Sequence, residues 1–164
     1  MGAPDGERER FVEAARSYWR TQGAKFTYVR KLLCGIIGES SEAFDAEMLL
    51  AWAKRTDPAI ALSSVYRTLR SLCDAGLVTE FEGPNGTKMH QRSLGGSIST
   101  NHIICRNCGL VLPIDDPCLA LREMEKARRE GFRPEKIVLS LEAVCETFQS
   151  TGTCDRCRQP KGEE

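Results

Sequence analysis

The stretch Ser63-Ser64-Val65-Tyr66-Arg67-Thr68-Leu69-Arg70-Ser71-Leu72-Cys73-Asp74-Ala75-Gly76 opens on serines suited to capping a helix and closes on a glycine suited to ending one. At about 100° per residue, Val65, Leu69, Leu72 and Cys73 fall on one face. Ser63, Arg67, Arg70 and Asp74 fall on the other, with Tyr66 at its flank. Directly downstream, the runs 77–82 and 87–92 flank Gly83-Pro84-Asn85-Gly86, a turn signal that folds them into a hairpin. An amphipathic helix with a basic and aromatic polar face, followed by a hairpin, predicts a winged helix.

Working upstream, three shorter helices precede this one. The first spans about Glu7 to Gln22, with Phe11, Ala14, Ala15, Tyr18 and Trp19 at helical spacing and Gly23 as its stop. Thr27 is placed to cap a second, whose Val29, Leu32, Leu33, Ile36 and Ile37 form an apolar stripe. Asp45 is placed to cap a third, which must end before Pro58 because the residue preceding proline disfavours helical geometry.

Working downstream, the small, glycine-containing run 94–100 reads as a hinge. It separates a first domain, 1–93, from a second, 101–164. The second domain is expected to run as a strand from His102 to Cys105, a knuckle to Gly109 and a strand from Leu110 to Ile114. A helix from Pro117 to Glu130 and a strand from Ile137 to Val144 follow. Ile137, Leu139 and Leu141 alternate as a half-buried strand requires, while Leu119, Met124 and Ala127 give the helix only a thin apolar face. The fold class is therefore α+β. A unit of roughly 60 residues is marginal without a metal or a partner subunit.

Lys and Arg together number 23, as do Asp and Glu, so a nucleic-acid contact must come from a local patch and not from overall charge. No apolar run approaches the roughly 20 residues of a membrane helix, and the N-terminal residues are polar and acidic, which leads us to expect a cytoplasmic protein with no membrane partner. Of the eight cysteines, five form the series Cys105-x-x-Cys108, Cys145 and Cys154-x-x-Cys157. In a reducing compartment these are thiols or metal ligands.

Each C-x-x-C turn aims two sulfurs at one point, and two such pairs close a tetrahedral zinc shell with no open position, which favours a structural over a catalytic ion. The direct assignment is Cys105, Cys108, Cys154 and Cys157. Cys145 is an alternative ligand that would displace one member of the last pair. Neither pair opens a helix within a βαβ unit, as a thioredoxin-like redox pair would.

The segments Leu62-Ser63-Ser64-Val65-Tyr66-Arg67-Thr68-Leu69, Asp74-Ala75-Gly76-Leu77-Val78 and Asn101-His102-Ile103-Ile104-Cys105-Arg106-Asn107-Cys108-Gly109 resemble the ferric uptake regulator (Fur) family. The resemblance covers the chain from about Arg16 to Cys157. It implies a homodimer in which N-terminal winged helices bind a DNA operator and C-terminal α/β domains dimerise around structural zinc, with a regulatory metal site between the domains. By the same likeness Tyr66 and Arg67 lie on the recognition helix, and Lys25 and Arg30 match basic positions near the second helix. With Ser64 and Arg70 they are the expected DNA contacts. Arginine can reach phosphates or guanine edges, and tyrosine a thymine methyl or phosphate.

The chain departs from the family where metal would be sensed. A histidine-rich run usually precedes the first C-x-x-C, whereas here Ser97-Ile98-Ser99-Thr100-Asn101 leaves only His102. Ala43-Phe44 stands where a ligand histidine is common, and Pro113 where a carboxylate is. His90, His102 and Cys118 are the remaining candidates for a regulatory divalent metal; nitrogen and sulfur donors favour zinc, cobalt or nickel over iron or manganese. Phe148 stands where the family's second knuckle has its last cysteine.

The expected function is thus a metal-responsive transcription regulator, most simply a repressor. The alternative within that class is a regulator that senses oxidation through Cys118, Cys145 or a released thiolate, with zinc only structural. A zinc-dependent enzyme, in particular an oxidoreductase, is disfavoured, because no H-x-E or H-E-x-x-H motif accompanies the cysteines. No catalytic residue is assigned.

Overall fold

The computed structural model describes residues 5–93, 99–114 and 116–153. The N-terminal part packs α1 (Asp5–Thr21), α2 (Tyr28–Glu39), α3 (Ala46–Lys54) and α4 (Leu62–Asp74) against one another, followed by the antiparallel hairpin β1 (Val78–Glu82) and β2 (Lys88–Arg92). This is the expected winged helix. Its core holds Trp19, Leu33, Ile37, Val65, Leu69 and Leu72, positions that the helical stripes nominate, together with Leu49 of α3 and Phe44, which lies just before the Asp45 cap outside any helix.

Two of the three expected caps are present. The Arg30 amide donates to Thr27 Oγ1 (3.4 Å), and the Met48 amide donates to Asp45 Oδ1 (2.7 Å). The serine cap of α4 is a correction: the N-cap is Ala61, with no side-chain hydrogen bond. Ile60 and Val65, both buried in the core, flank this start as a hydrophobic staple, so burial of an apolar pair draws Leu62 and Ser63 into the first turn. At the hairpin tip a Cβ on Gly83 would lie 2.3 Å from Met89 Cγ, and Asn85 (φ 56°) and Gly86 (φ 73°) take left-handed conformations. Glycine is thus required by contact at one end of the turn and by backbone angle at the other.

The second part is a three-stranded sheet ordered β4-β3-β5, built from β3 (Ser99–Cys105), β4 (Val111–Pro113) and β5 (Ile137–Ala143). β3 pairs antiparallel with β4 and parallel with β5. α5 (Pro117–Arg129) connects β4 to β5, and the short α6 (Glu146–Thr151), which periodicity did not suggest, follows β5. Ile137 and Leu139 are half-buried as expected, but Leu141, on the same face of β5, is exposed. Leu119, Met124 and Ala127 are half-buried. Among the described residues no helix is long and apolar enough to cross a membrane.

The two parts meet across the wing. Phe81 and Met89 from the hairpin join Ala43, Ile104 and Val111 in a second apolar cluster, and Lys136 Nζ donates to the Glu80 carbonyl (3.0 Å).

Candidate nucleic-acid interface and cysteine knuckle

The outward face of α4 is built by its own periodicity. Val65, Leu69 and Leu72 are buried, and that rotation leaves Ser63, Tyr66, Arg67, Arg70 and Asp74 exposed, with Tyr66 at 53%. Arg67 Nε donates to the Ser63 carbonyl (3.2 Å), which lays the stem along the helix and leaves the four terminal N–H groups out of that bond. Ser64 is half-buried; its carbonyl accepts the Thr68 hydroxyl (2.8 Å). The arrangement offers guanidinium and phenol groups on one exposed helix face, which suits phosphate and base-edge contacts.

Lys25 and Arg30 differ in their surroundings. Lys25 is exposed in the loop between α1 and α2. Arg30 is half-buried, its guanidinium over the Trp19 ring (4.9 Å to the centroid), with Nη1 donating to the Lys25 carbonyl. Tyr28, at the first position of α2, is 60% exposed and was not singled out from the sequence; its place outside the stripe of Val29, Leu32 and Leu33 was the available signal.

The first C-x-x-C forms a tight turn at the end of β3. The Gly109 amide donates to the Cys105 carbonyl (2.8 Å), and Gly109 takes φ 74°. The turn is tied to the end of β5: the Arg106 amide donates to the Ala143 carbonyl (2.8 Å), and the Cys145 amide to Asn107 Oδ1 (2.8 Å). Cys145 is thereby anchored beside the knuckle through its backbone. Cys154 and Cys157 lie outside the described residues. Two thiols on a turn of this type, with further cysteines following at the chain's C-terminal side, fit the soft tetrahedral donor set of zinc.

The three candidate regulatory donors are not brought together. His90 and Met89 are successive residues of β2, so they point to opposite faces of the hairpin. Met89 lies on the face toward the second domain, as does Phe81, which stacks on His102. His90 instead faces Phe44 and Glu80, with Nε2 3.6 Å from Glu80 Oε2. Cys118 is exposed on the first turn of α5. No three His, Cys, Asp or Glu side chains among the described residues converge as a metal cluster. Both histidines are buried, at 4% for His90 and 0% for His102, and burial holds both imidazoles below their ordinary pKa; for His90 the neighbouring Glu80 opposes the shift. Neither ring nitrogen of His102, nor Nδ1 of His90, has a hydrogen-bond partner among the described residues.

A winged helix carrying a basic, aromatic outer helix, joined through its wing to a sheet that ends in a cysteine knuckle, is the architecture of a two-domain DNA-binding regulator. Residues 21–142 match the model of the ferric uptake regulator family, and the chain belongs to that family. It is 26% identical over 141 residues to the ferric uptake regulation protein of Campylobacter jejuni, covering 85% of this chain and 88% of the relative. It is also 26% identical over 136 residues to the zinc uptake regulation protein of Mycobacterium tuberculosis, covering 83% and 96%. Among solved structures it is similar to the Helicobacter pylori ferric uptake regulator, described as having three functional metal binding sites, with TM-score 0.72, 20% identity, and coverage of 89% of this chain and 96% of that one. A zinc uptake regulator complexed with zinc and DNA superposes with TM-score 0.60 at 18% identity, covering 90% and 98%.

Proposed function

We propose that this chain is a homodimeric, sequence-specific DNA-binding transcription regulator, acting as a repressor, with zinc as a structural ion and a divalent metal as effector. The observation that carries the reading is the exposed Tyr66, Arg67 and Arg70 face of α4 beside the wing. Lys25 supplies a further backbone contact, and Ser64 sits at the helix start. The relative complexed with zinc and DNA supports a duplex as partner.

Homodimerisation has its own support. The edge strand β5 carries exposed Val138 and Leu141, Val144 follows it, and Leu121 and Phe132 are exposed at α5 and just beyond. An unpaired strand edge with this much apolar surface is covered in a stable protein. Zinc would be held by Cys105 and Cys108 with Cys154 and Cys157; Cys145, fastened to Asn107, is the alternative for one of the last pair. The ion supplies folding free energy to a domain too small to be secure without it.

The effector reading rests on His102. A fully buried imidazole with neither nitrogen hydrogen-bonded costs about 1–3 kcal/mol, which a bound ligand would offset. His102, with His90 and Cys118 as further donors, would take a divalent ion of the zinc, cobalt or nickel kind. Because His90 and His102 lie on opposite faces of the hairpin, capture by this set requires the wing to shift against the second domain, and a metal response has to change that relationship.

Selection of bound duplexes from a random pool by zinc-loaded protein tests the reading. An inverted repeat occupied by two subunits is expected, since twofold protein symmetry imposes twofold symmetry on the site. Failure to enrich any sequence, with or without added zinc, cobalt or nickel, contradicts it.

A further inference from the structure

Between α1 and α2 two aromatic rings in contact each carry a guanidinium group. Trp19 and Phe26 lie with centroids 5.5 Å apart; Arg16 sits over Phe26 at 5.5 Å and Arg30 over Trp19 at 4.9 Å. Trp19 is 2% exposed, so the Arg30 end of this ladder is anchored in the core. The loop it encloses is short and fully specified. Gly23 turns the chain out of α1 with φ 64°, the Ala24 amide donates to the Trp19 carbonyl (2.9 Å), and Thr27 caps α2. The Lys25 carbonyl in this loop receives a charged donor, Arg30 Nη1.

We propose that Arg30 is a positioning residue: stacked on Trp19 and bonded to the Lys25 carbonyl, it holds the α1–α2 loop so that the exposed Lys25 ammonium meets the DNA backbone. The inference rests on the DNA-binding reading above and deepens it. It divides two basic residues that sequence alone treats alike. Lys25 is a mobile point charge, suited to a phosphate. Arg30 has committed its planar face and one of its donors inside the protein, and a guanidinium used that way serves geometry.

The test is a double-mutant cycle of Lys25→Ala and Arg30→Ala, with Arg30→Lys and Arg67→Ala as companions, read as affinity for the selected duplex across a salt series. Lys25→Ala is expected to weaken binding about ten-fold and to flatten the salt dependence by about one phosphate contact per subunit. Arg30→Ala is expected to lose about as much, and the double variant no more than either alone, whereas the losses from Arg67→Ala and Arg30→Ala multiply. Arg30→Lys, which keeps the charge but not the planar stack, should behave as Arg30→Ala. A second measurement needs no DNA: trypsin should cut after Lys25 several-fold faster in Arg30→Lys than in the wild type or in Arg67→Ala, because the loop is released.

Losses that multiply between Lys25 and Arg30, or an Arg30→Lys variant that binds like the wild type, would show Arg30 to be a direct phosphate contact and overturn the proposal. Loss of binding in Arg67→Ala with none in Lys25→Ala overturns the proposal while leaving the DNA reading intact. A wild type that binds no duplex overturns both.

Discussion

The rings of Phe81 in the wing and His102 in β3 stack with centroids 3.8 Å apart and planes inclined by 28°. The hairpin is thus fastened to the second domain through an imidazole whose protonation is disfavoured, since burial lowers its pKa. His90, on the other face of the hairpin, is shifted the same way. The folded protein therefore binds fewer protons than the unfolded chain once the pH falls below the ordinary histidine value of about 6.5, and stability that is complete above that value is lost as the pH descends through the lowered native values. Each histidine adds a slope of up to about 1.4 kcal/mol per pH unit over that window. Urea unfolding at several pH values, of protein carrying its structural zinc but no added effector metal, should show this fall, and His102→Phe, which keeps the stack, should make it shallower. An unchanged slope in that variant would remove His102 from the account.

Arg92, at the end of β2, is buried; it donates through Nη2 to Glu7 Oε2 (2.8 Å) and through Nη1 to the Gly38 carbonyl (3.0 Å). It ties the end of the wing to α1 and to the end of α2. Arg92→Met should cost about 1–3 kcal/mol, from lost charge-assisted bonds and an unmatched carbonyl. Glu7→Gln should cost under about 1 kcal/mol, because Glu7 is substantially exposed and its charge is screened. Denaturant midpoints would reveal the ranking, and the reverse order would contradict this description of the contact.

Cysteine reactivity should follow burial. The Cys34 thiol is pushed up to about 12 by burial, with Arg30 opposing, and Cys73 is raised to about 11, again first by burial. Cys118 is exposed. A maleimide pulse followed by peptide mass mapping should label Cys118 well before Cys73 and Cys34, the thiolate being the reactive species. Labelling of Cys34 in the native protein at a rate matching Cys118 would be inconsistent with the packing of α2.

Zinc removal should act on one half of the molecule. Cys105→Ser is expected to lose about one zinc per subunit and to destabilise the sheet domain, while α1 to α4 keep their helical signal, because the core of the winged helix contains no part of the knuckle. Metal analysis with circular dichroism reads both. Retained stoichiometric zinc would move the site elsewhere.

What could be read from the residues was local. Thr27 and Asp45 cap helices through bonds to amides three residues ahead, and α4 buries Val65, Leu69 and Leu72 because these repeat at helical spacing. What escaped depends on contacts distant in sequence or on several weak signals together. The start of α4 is set by burial of Ile60 with Val65 and not by a serine, and the Phe81–His102 stack joins two domains. Arg30 resembles Lys25 as a letter, yet Trp19, eleven positions upstream, takes its guanidinium. The anchoring of Cys145 by Asn107 requires β5 to lie parallel beside β3, a pairing that no short-range pattern encodes.

The account stands most directly on the outward face of α4. Binding of the selected duplex by Arg67→Ala, compared with wild type at one fixed salt concentration and with the fold checked by circular dichroism, measures it. A loss on the order of a hundred-fold or more is expected, since each subunit forfeits a contact of about 1–3 kcal/mol. A folded, dimeric Arg67→Ala protein with wild-type affinity would contradict the assignment of this helix as the element that reads DNA.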